Sequence, residues 1–204
     1  MPSVTVLMQP GAADWEFAPV LAVLREYFGY TVCVATPDAR PITTIGGLLI
    51  EADRMFDTAD IDGADSVILI GSEQWKDGAD ATLESRLRSR VEAGRPTAAI
   101  CAGTLALARA GVLNGRAHTS NALEFLQTSA DAYAGQDHYR DVAHAVADGK
   151  LVTAPGSAPA SFASAVVATL HPEKVGEVMG YWSMAKGEFD ALGGDLGPMF
   201  KREE

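Results

Sequence analysis

Thr97-Ala98-Ala99-Ile100-Cys101-Ala102-Gly103-Thr104 reads as a short apolar strand that breaks abruptly into a helix. Ala99 to Gly103 follow the pattern small-x-nucleophile-x-small, and Leu105 to Ala110 continue with good helix formers. A sharp strand-to-helix turn holds its central side chain at the carboxyl edge of a sheet, where bulky residues two places either side would collide. Cys101 occupies that centre. A helix starting beneath it offers free N–H groups and a partial positive charge, which favour thiolate over thiol. A buried free cysteine closing a core strand would leave the same local pattern. On that pattern alone the two readings stand level.

Composition narrows the classes available. A chain of 204 residues is expected to form one domain with a sizeable core, here residues 1–190, followed by a glycine-rich and then charged tail at 191–204. Apolar residues at 48% and charged residues at 21% are globular values. No segment approaches the roughly 18 unbroken apolar residues of a membrane span. Met1-Pro2-Ser3 lacks the basic start of a signal peptide. Two cysteines, far apart and each in a strand-like run, point to a reducing compartment, so a cytoplasmic protein is expected. A formal charge of −11 opposes nucleic acid and anionic membranes as partners.

Outward from Cys101, strands and helices alternate. Val4 to Met8 is a buried-type strand, and Asp14 to Phe28 a helix with Phe17, Val20, Leu21, Leu24 and Phe28 on one stripe. Gly29 stops it. Thr31 to Ala35 is a second strand, and Pro41 to Thr44 and Leu48 to Ile50 are short strands around a Gly46-Gly47 turn. Ser66 to Ile70 is a fully apolar strand ending at Gly71, and Ala81 to Ala93 an amphipathic helix. Beyond the elbow, Arg116 to Thr119 reads as a strand and Asn121-Ala122-Leu123-Glu124 as a capping box. Val142 to Val146 and Leu151 to Ala154 flank the hairpin signal Asp148-Gly149. Ala158 to Leu170 is a helix, and Pro172 opens another expected to run to about Lys186. This alternation predicts a mostly parallel sheet covered on both faces, with ligands at the carboxyl ends of the strands.

Five segments in order carry a family resemblance: Gly11 to Glu16, Thr43 to Leu48, Ala99 to Gly103, His118 to Asn121 and Thr153 to Pro159. Together they resemble the ThiJ/PfpI family of the class I glutamine amidotransferase-like superfamily, over roughly residues 3 to 170. The nearest subgroup is the one described as intracellular protease/amidase or type 1 glutamine amidotransferase. The resemblance implies a flavodoxin-like three-layer α/β/α sandwich, a homodimer, a cysteine nucleophile elbow at Cys101 and a carboxylate at Glu16. It also implies that backbone N–H groups of Ala102 and of the Gly71-Ser72 turn face the reacting oxygen. Two positions depart from the family. Ala102 stands where protease-like members carry a histidine, and Asn121 stands where other members place one near the cysteine. The Cys–His pairing is absent at both places, so peptidase activity is the part of the resemblance that the residues support least.

Each candidate has a plainer reading beside it. Glu16 is a first-turn acid of the kind the helix dipole favours anywhere. In such a sheet, though, the first strand is expected beside the cysteine strand, bringing Glu16 to the same crevice. Protonated, it would donate a hydrogen bond to the thiolate, and that arrangement is the favoured one. Asp14 reads as the helix cap. His118 is the best-placed histidine for a base, although strand histidines are more often structural. His138 and His144 carry no pattern. His171-Pro172-Glu173 imitates the triad pair of glutamine amidotransferases, but about 13 helical residues carry it roughly 20 Å from the carboxyl edge. Trp15 and Trp75 suit either the crevice wall or plain packing, and Cys33 suits the core.

Three functions compete. The first is a cysteine-dependent enzyme acting on a small carbonyl, amide or related electrophile, in hydrolase, amidase, hydratase or glyoxalase-like chemistry without cofactor or metal. Cys101 adds, Glu16 moves the proton and His118 is a candidate assistant. The second is a redox or electrophile sensor in which Cys101 is oxidised. A phosphate or flavin binder is disfavoured, because Asp14 and Glu16 put negative charge where a phosphate would lie and no glycine-rich phosphate fingerprint occurs.

Overall fold

Strands with apolar residues at every position need cover on both faces, and the chain supplies it. The computed structural model describes residues 1–77 and 80–174, with isolated positions 176, 183, 186, 187 and 190 beyond them. The expected tail at 191–204 lies outside the described residues, as does most of the helix expected after Pro172. Its described parts are a short 3-10 turn, Pro172–Lys174, and the isolated helical positions 176, 183 and 186.

The strands are β1 (Ser3–Leu7), β2 (Thr31–Thr36), β3 (Ile42–Thr43), β4 (Leu49–Ile50), β5 (Arg54–Met55), β6 (Ser66–Leu69), β7 (Thr97–Ile100), β8 (Val146–Asp148) and β9 (Leu151–Ala154). The helices are α1 (Asp14–Phe28), α2 (Ala81–Glu92), α3 (Thr104–Arg109), α4 (Leu123–Ser129) and α5 (Pro159–Leu170). Seven strands form one sheet in the order β5-β2-β1-β6-β7-β9-β8. Every pairing is parallel except that of β8 with β9. β3 and β4 make a separate antiparallel hairpin. Period-two alternation sends Val67 and Leu69 to one core and Ile68 and Ile70 to the other. The first core is closed by Leu83 and Leu87 of α2 and Leu105 and Leu107 of α3. The second is closed by Val20 and Leu24 of α1 and Phe162 and Val166 of α5. The result is a flavodoxin-like α/β/α sandwich. No helix among the described residues is long and apolar enough to cross a membrane.

Three local expectations need correction. Arg116 to Thr119 is not a strand: His118 makes one isolated bridge to Tyr139, and the Thr119 N–H is taken by the Thr153 hydroxyl at 2.9 Å. The capping box does not form, because α4 starts at Leu123 with Ala122 as an uncapped N-terminus and Asn121 is engaged elsewhere. In the last hairpin Asp148 pairs with Leu151, so the turn is Gly149-Lys150 with Gly149 at φ 59°.

Arg90 fastens α2 to the sheet. Buried to 1% exposure, its guanidinium donates to the carbonyls of Ile61, Ala64 and Pro96, and burial lowers its pKa to about 10. Arg90→Leu would leave the Ile61 and Ala64 carbonyls buried and unpaired, while Pro96 keeps the Val67 N–H, at a cost of about 2–4 kcal/mol. Urea unfolding should show this loss while the alkylation rate of native Cys101 stays unchanged.

Candidate active site

β7 is buried along its whole length and ends at Cys101, which holds φ at 57°. A non-glycine residue in the left-handed region is strained and persists only where its surroundings over-determine it. Three glycines do so here. A Cβ on Gly103 would sit 2.7 Å from the Leu69 carbonyl oxygen, so the chain leaving the elbow can pack on β6 only without one. A Cβ on Gly71 would lie 2.6 Å from both Cys101 Cβ and Glu16 Oε2. One on Gly156 would lie 2.9 Å from Cys101 Sγ and 3.0 Å from Glu16 Oε1.

The sheet order corrects the expected route from Glu16 to the cysteine. β1 is not beside β7; β6 lies between them. Glu16 reaches across the end of β6 because Gly71 presents no side chain. It is fully buried, and its Oε2 accepts the Gly71 N–H at 2.7 Å. Its buried Oε1 has no hydrogen-bond partner among the described residues, and the Cys101 thiol is the neighbouring side chain that influences the carboxyl group. Burial raises the Glu16 pKa to about 6, against smaller lowering by the Gly71 N–H and the thiol. Burial, followed by the Glu16 charge, raises the Cys101 pKa to about 11; hydrogen bonds from Asn121 and from the Ala102 N–H oppose it. Two expectations are therefore revised. The helix start does not make Cys101 a resting thiolate, since burial and a neighbouring anion outweigh it. At neutral pH the shared proton rests on sulfur and Glu16 is the acceptor.

The remaining candidates separate clearly. Of the expected backbone donors, the Gly71 N–H is committed to Glu16, while the Ala102 N–H lies beside the sulfur and lowers its pKa. Ser72 shapes its turn: its hydroxyl donates to the Pro10 carbonyl at 2.5 Å and accepts the Gln74 N–H. His118 is buried, with Nδ1 bonded to the Arg116 carbonyl at 2.7 Å and Nε2 to the Tyr133 hydroxyl at 2.8 Å. Neither nitrogen is free to serve Cys101, and burial lowers the His118 pKa, keeping the ring neutral. Asp14 does not cap α1; Ala13 occupies that position. Its carboxylate instead accepts the Thr44 hydroxyl and the Gly46 N–H, both at 2.7 Å, tying the β3–β4 hairpin to α1. Trp15 stands over the crevice, half-exposed, its indole N–H donating to the Gly156 carbonyl at 3.0 Å. Trp75 is core, stacked on Phe56. Cys33 is half-buried in β2. His171 bonds to Tyr30, just before β2 and so at the opposite edge of the sheet from Cys101.

Asn121 is the site residue that sequence reasoning did not select. Its Nδ2 donates to Cys101 Sγ at 3.1 Å and its Oδ1 accepts the Gly156 N–H at 2.9 Å. The available signal was its position, three residues after His118, where relatives place a histidine.

A parallel α/β sandwich with a cysteine elbow facing a buried carboxylate defines the class of the protein. Residues 2–169 match the DJ-1/PfpI family, and the chain belongs to it. It is 34% identical over 165 residues to YoaZ of Bacillus subtilis, named an uncharacterized protease, covering 78% of each chain. It is 33% identical over 122 residues to the deglycase TK1284 of Thermococcus kodakarensis, covering 57% of this chain and 70% of that one. Among solved structures, the DJ-1 superfamily protein Atu0886 of Agrobacterium tumefaciens superposes with a TM-score of 0.81 at 37% identity. That match covers 91% of this chain and all of the other.

Burying Glu16 has a signed cost. Its pKa is higher folded (about 6) than the ordinary 4.5, so the native state binds more protons between those values and stability falls as pH rises through that window. Above pH 6 the full penalty of about 2 kcal/mol applies. Glu16→Gln should therefore raise stability by about 1–2 kcal/mol at pH 7.5 and leave it unchanged below pH 4.5. Denaturant melts at the two pH values check this.

Proposed function

We propose that the protein is a cysteine-dependent enzyme acting on a small carbonyl, amide or related electrophilic carbon, with Cys101 as nucleophile and Glu16 as proton relay. The observation that carries this is the strained elbow thiol beside a buried carboxylate whose second oxygen has no hydrogen-bond partner among the described residues. Strain, charge burial and three side-chain-free glycines are expensive for stability alone and suit a site built around one reactive sulfur. In the forward step sulfur bonds to the substrate carbon, the thiol proton passes to Glu16, and the π pair moves to the substrate oxygen. Glu16 then returns the proton to that oxygen or to a leaving group. The names protease and deglycase borne by relatives support an enzymatic role. The sensor reading has less support, because susceptibility to oxidation follows thiolate character and burial with Glu16 holds the thiol protonated.

Turnover should rise with pH through about 6, as Glu16 ionises and becomes able to accept a proton. Assays against aldehydes, esters and amides, with intact-mass detection of a Cys101 adduct, identify the substrate class. With a responsive substrate, Glu16→Gln should abolish the acid limb and lower kcat about 10²- to 10⁴-fold, while Cys101→Ser abolishes adduct and turnover. A Glu16→Gln profile superimposing on the wild type would refute the relay.

A homodimer is part of the same proposal. Trp15, Ile45, Leu48 and Leu49 are 50–67% exposed, and backbone bonds from Ile45 to Ala12 and from Gly11 to Thr43 gather them at one end of the molecule. Exposed apolar clusters of this kind favour a covering partner. Light scattering should give twice 21.4 kDa for the wild type and 21.4 kDa for an Ile45→Asp, Leu49→Glu variant.

A further inference from the structure

The segment that carries Asn121 is held at every residue. His118 spans Arg116 and Tyr133, and its carbonyl accepts the Arg140 N–H at 2.7 Å. The Thr119 N–H goes to Thr153, and the Ser120 hydroxyl bonds that of Thr104 at 2.7 Å. Thr104 in turn donates to the Cys101 carbonyl at 2.6 Å. Asn121 is exposed at the mouth of the crevice, yet its amide has only one workable orientation. The Gly156 N–H must meet an acceptor, so Oδ1 faces Gly156 and the NH₂ group faces the sulfur. Gly156 is itself held over the sulfur, its carbonyl bound by the Trp15 indole.

We propose that Asn121 is a catalytic residue: one N–H of its locked amide stabilises negative charge on Sγ, and the other receives the oxygen of the carbonyl that Cys101 attacks. This rests on Cys101 being the nucleophile. Nothing among the described residues takes the second Nδ2 hydrogen, and of the backbone donors beside the sulfur the Gly71 N–H is already committed to Glu16. As the sulfur–carbon bond forms, charge passes from sulfur to the adjacent oxygen, and a single NH₂ group borders both positions. An amide does not titrate, so its contribution is constant with pH, as that of a histidine at this place would not be.

Two reagents separate the two roles. Iodoacetamide is attacked at a saturated carbon: sulfur displaces iodide and no oxyanion develops. p-Nitrophenyl acetate is attacked at its carbonyl: the sulfur–carbon bond forms, an oxyanion appears and collapses, and p-nitrophenolate leaves while Glu16 takes the thiol proton. Asn121→Ala should slow alkylation about tenfold at fixed pH and slow the nitrophenolate burst by a further tenfold or more. Asn121→Asp keeps an acceptor for Gly156 but sets an anion against the sulfur, so its thiol should titrate higher than that of Asn121→Ala. A wild-type titration in Asn121→Asp would reduce Asn121 to an anchor for the Gly156 loop and overturn the assignment. Equal slowing of both reagents in Asn121→Ala would overturn the oxyanion role. Asn121 variants behaving as stated while Glu16→Gln keeps the wild-type pH profile would support this assignment and refute the relay instead.

Discussion

A carboxylate and a thiol are pressed together across the end of a strand that belongs to neither. Glu16 leaves α1, Cys101 leaves β7, and β6 runs between them. Contact is possible because the chain leaving β6 passes through Gly71, whose missing side chain leaves the space the two groups occupy. The same glycine supplies the N–H that satisfies one carboxylate oxygen. Much around the site serves this approach. The positive φ at Cys101 aims the sulfur, Gly103 brings the elbow onto β6, and Gly156 leaves room over the sulfur.

The electrostatic outcome follows from competition between burial and dipoles. Burial penalises both ionised forms, so both groups are displaced upward, and the pair holds one proton at neutral pH. α3 has only six residues and is preceded by a 3-10 turn, so its N-terminal field is modest against a full neighbouring charge. What does favour charge on sulfur is directional: the Ala102 N–H and the Asn121 amide. A buried acid stands beside the thiol here, and a neutral amide, Asn121, donates to the sulfur. His118, the histidine of this segment, is spent on holding it in place.

Membership of the DJ-1/PfpI family accounts for the architecture, and relatives bearing names as different as protease and deglycase share it. Such diversity is expected when the fold presents a reactive sulfur and loop residues decide what approaches it. In this chain the residues at the mouth of the crevice are Trp15, Asn121 and Gly156, contributed by the first turn of α1 and by two loops and joined by hydrogen bonds.

The sequence by itself determined the layers and the elbow that carries Cys101. Continuous apolar runs at 66–70 and 97–100, the helix stripe from Asp14 to Phe28, and the small residues flanking Cys101 are local signals, readable because secondary-structure periods and steric limits act on neighbours in the chain. Only the tertiary structure decided the protonation and the partners. That Glu16 crosses β6, that Asp14 clamps a hairpin instead of capping α1, and that Asn121 leaves a capping box to bind Sγ all depend on contacts between residues 20 to 85 positions apart. pKa values depend on burial and on charges brought close in space, and a polar side chain with several possible partners takes the one the packed chain presents.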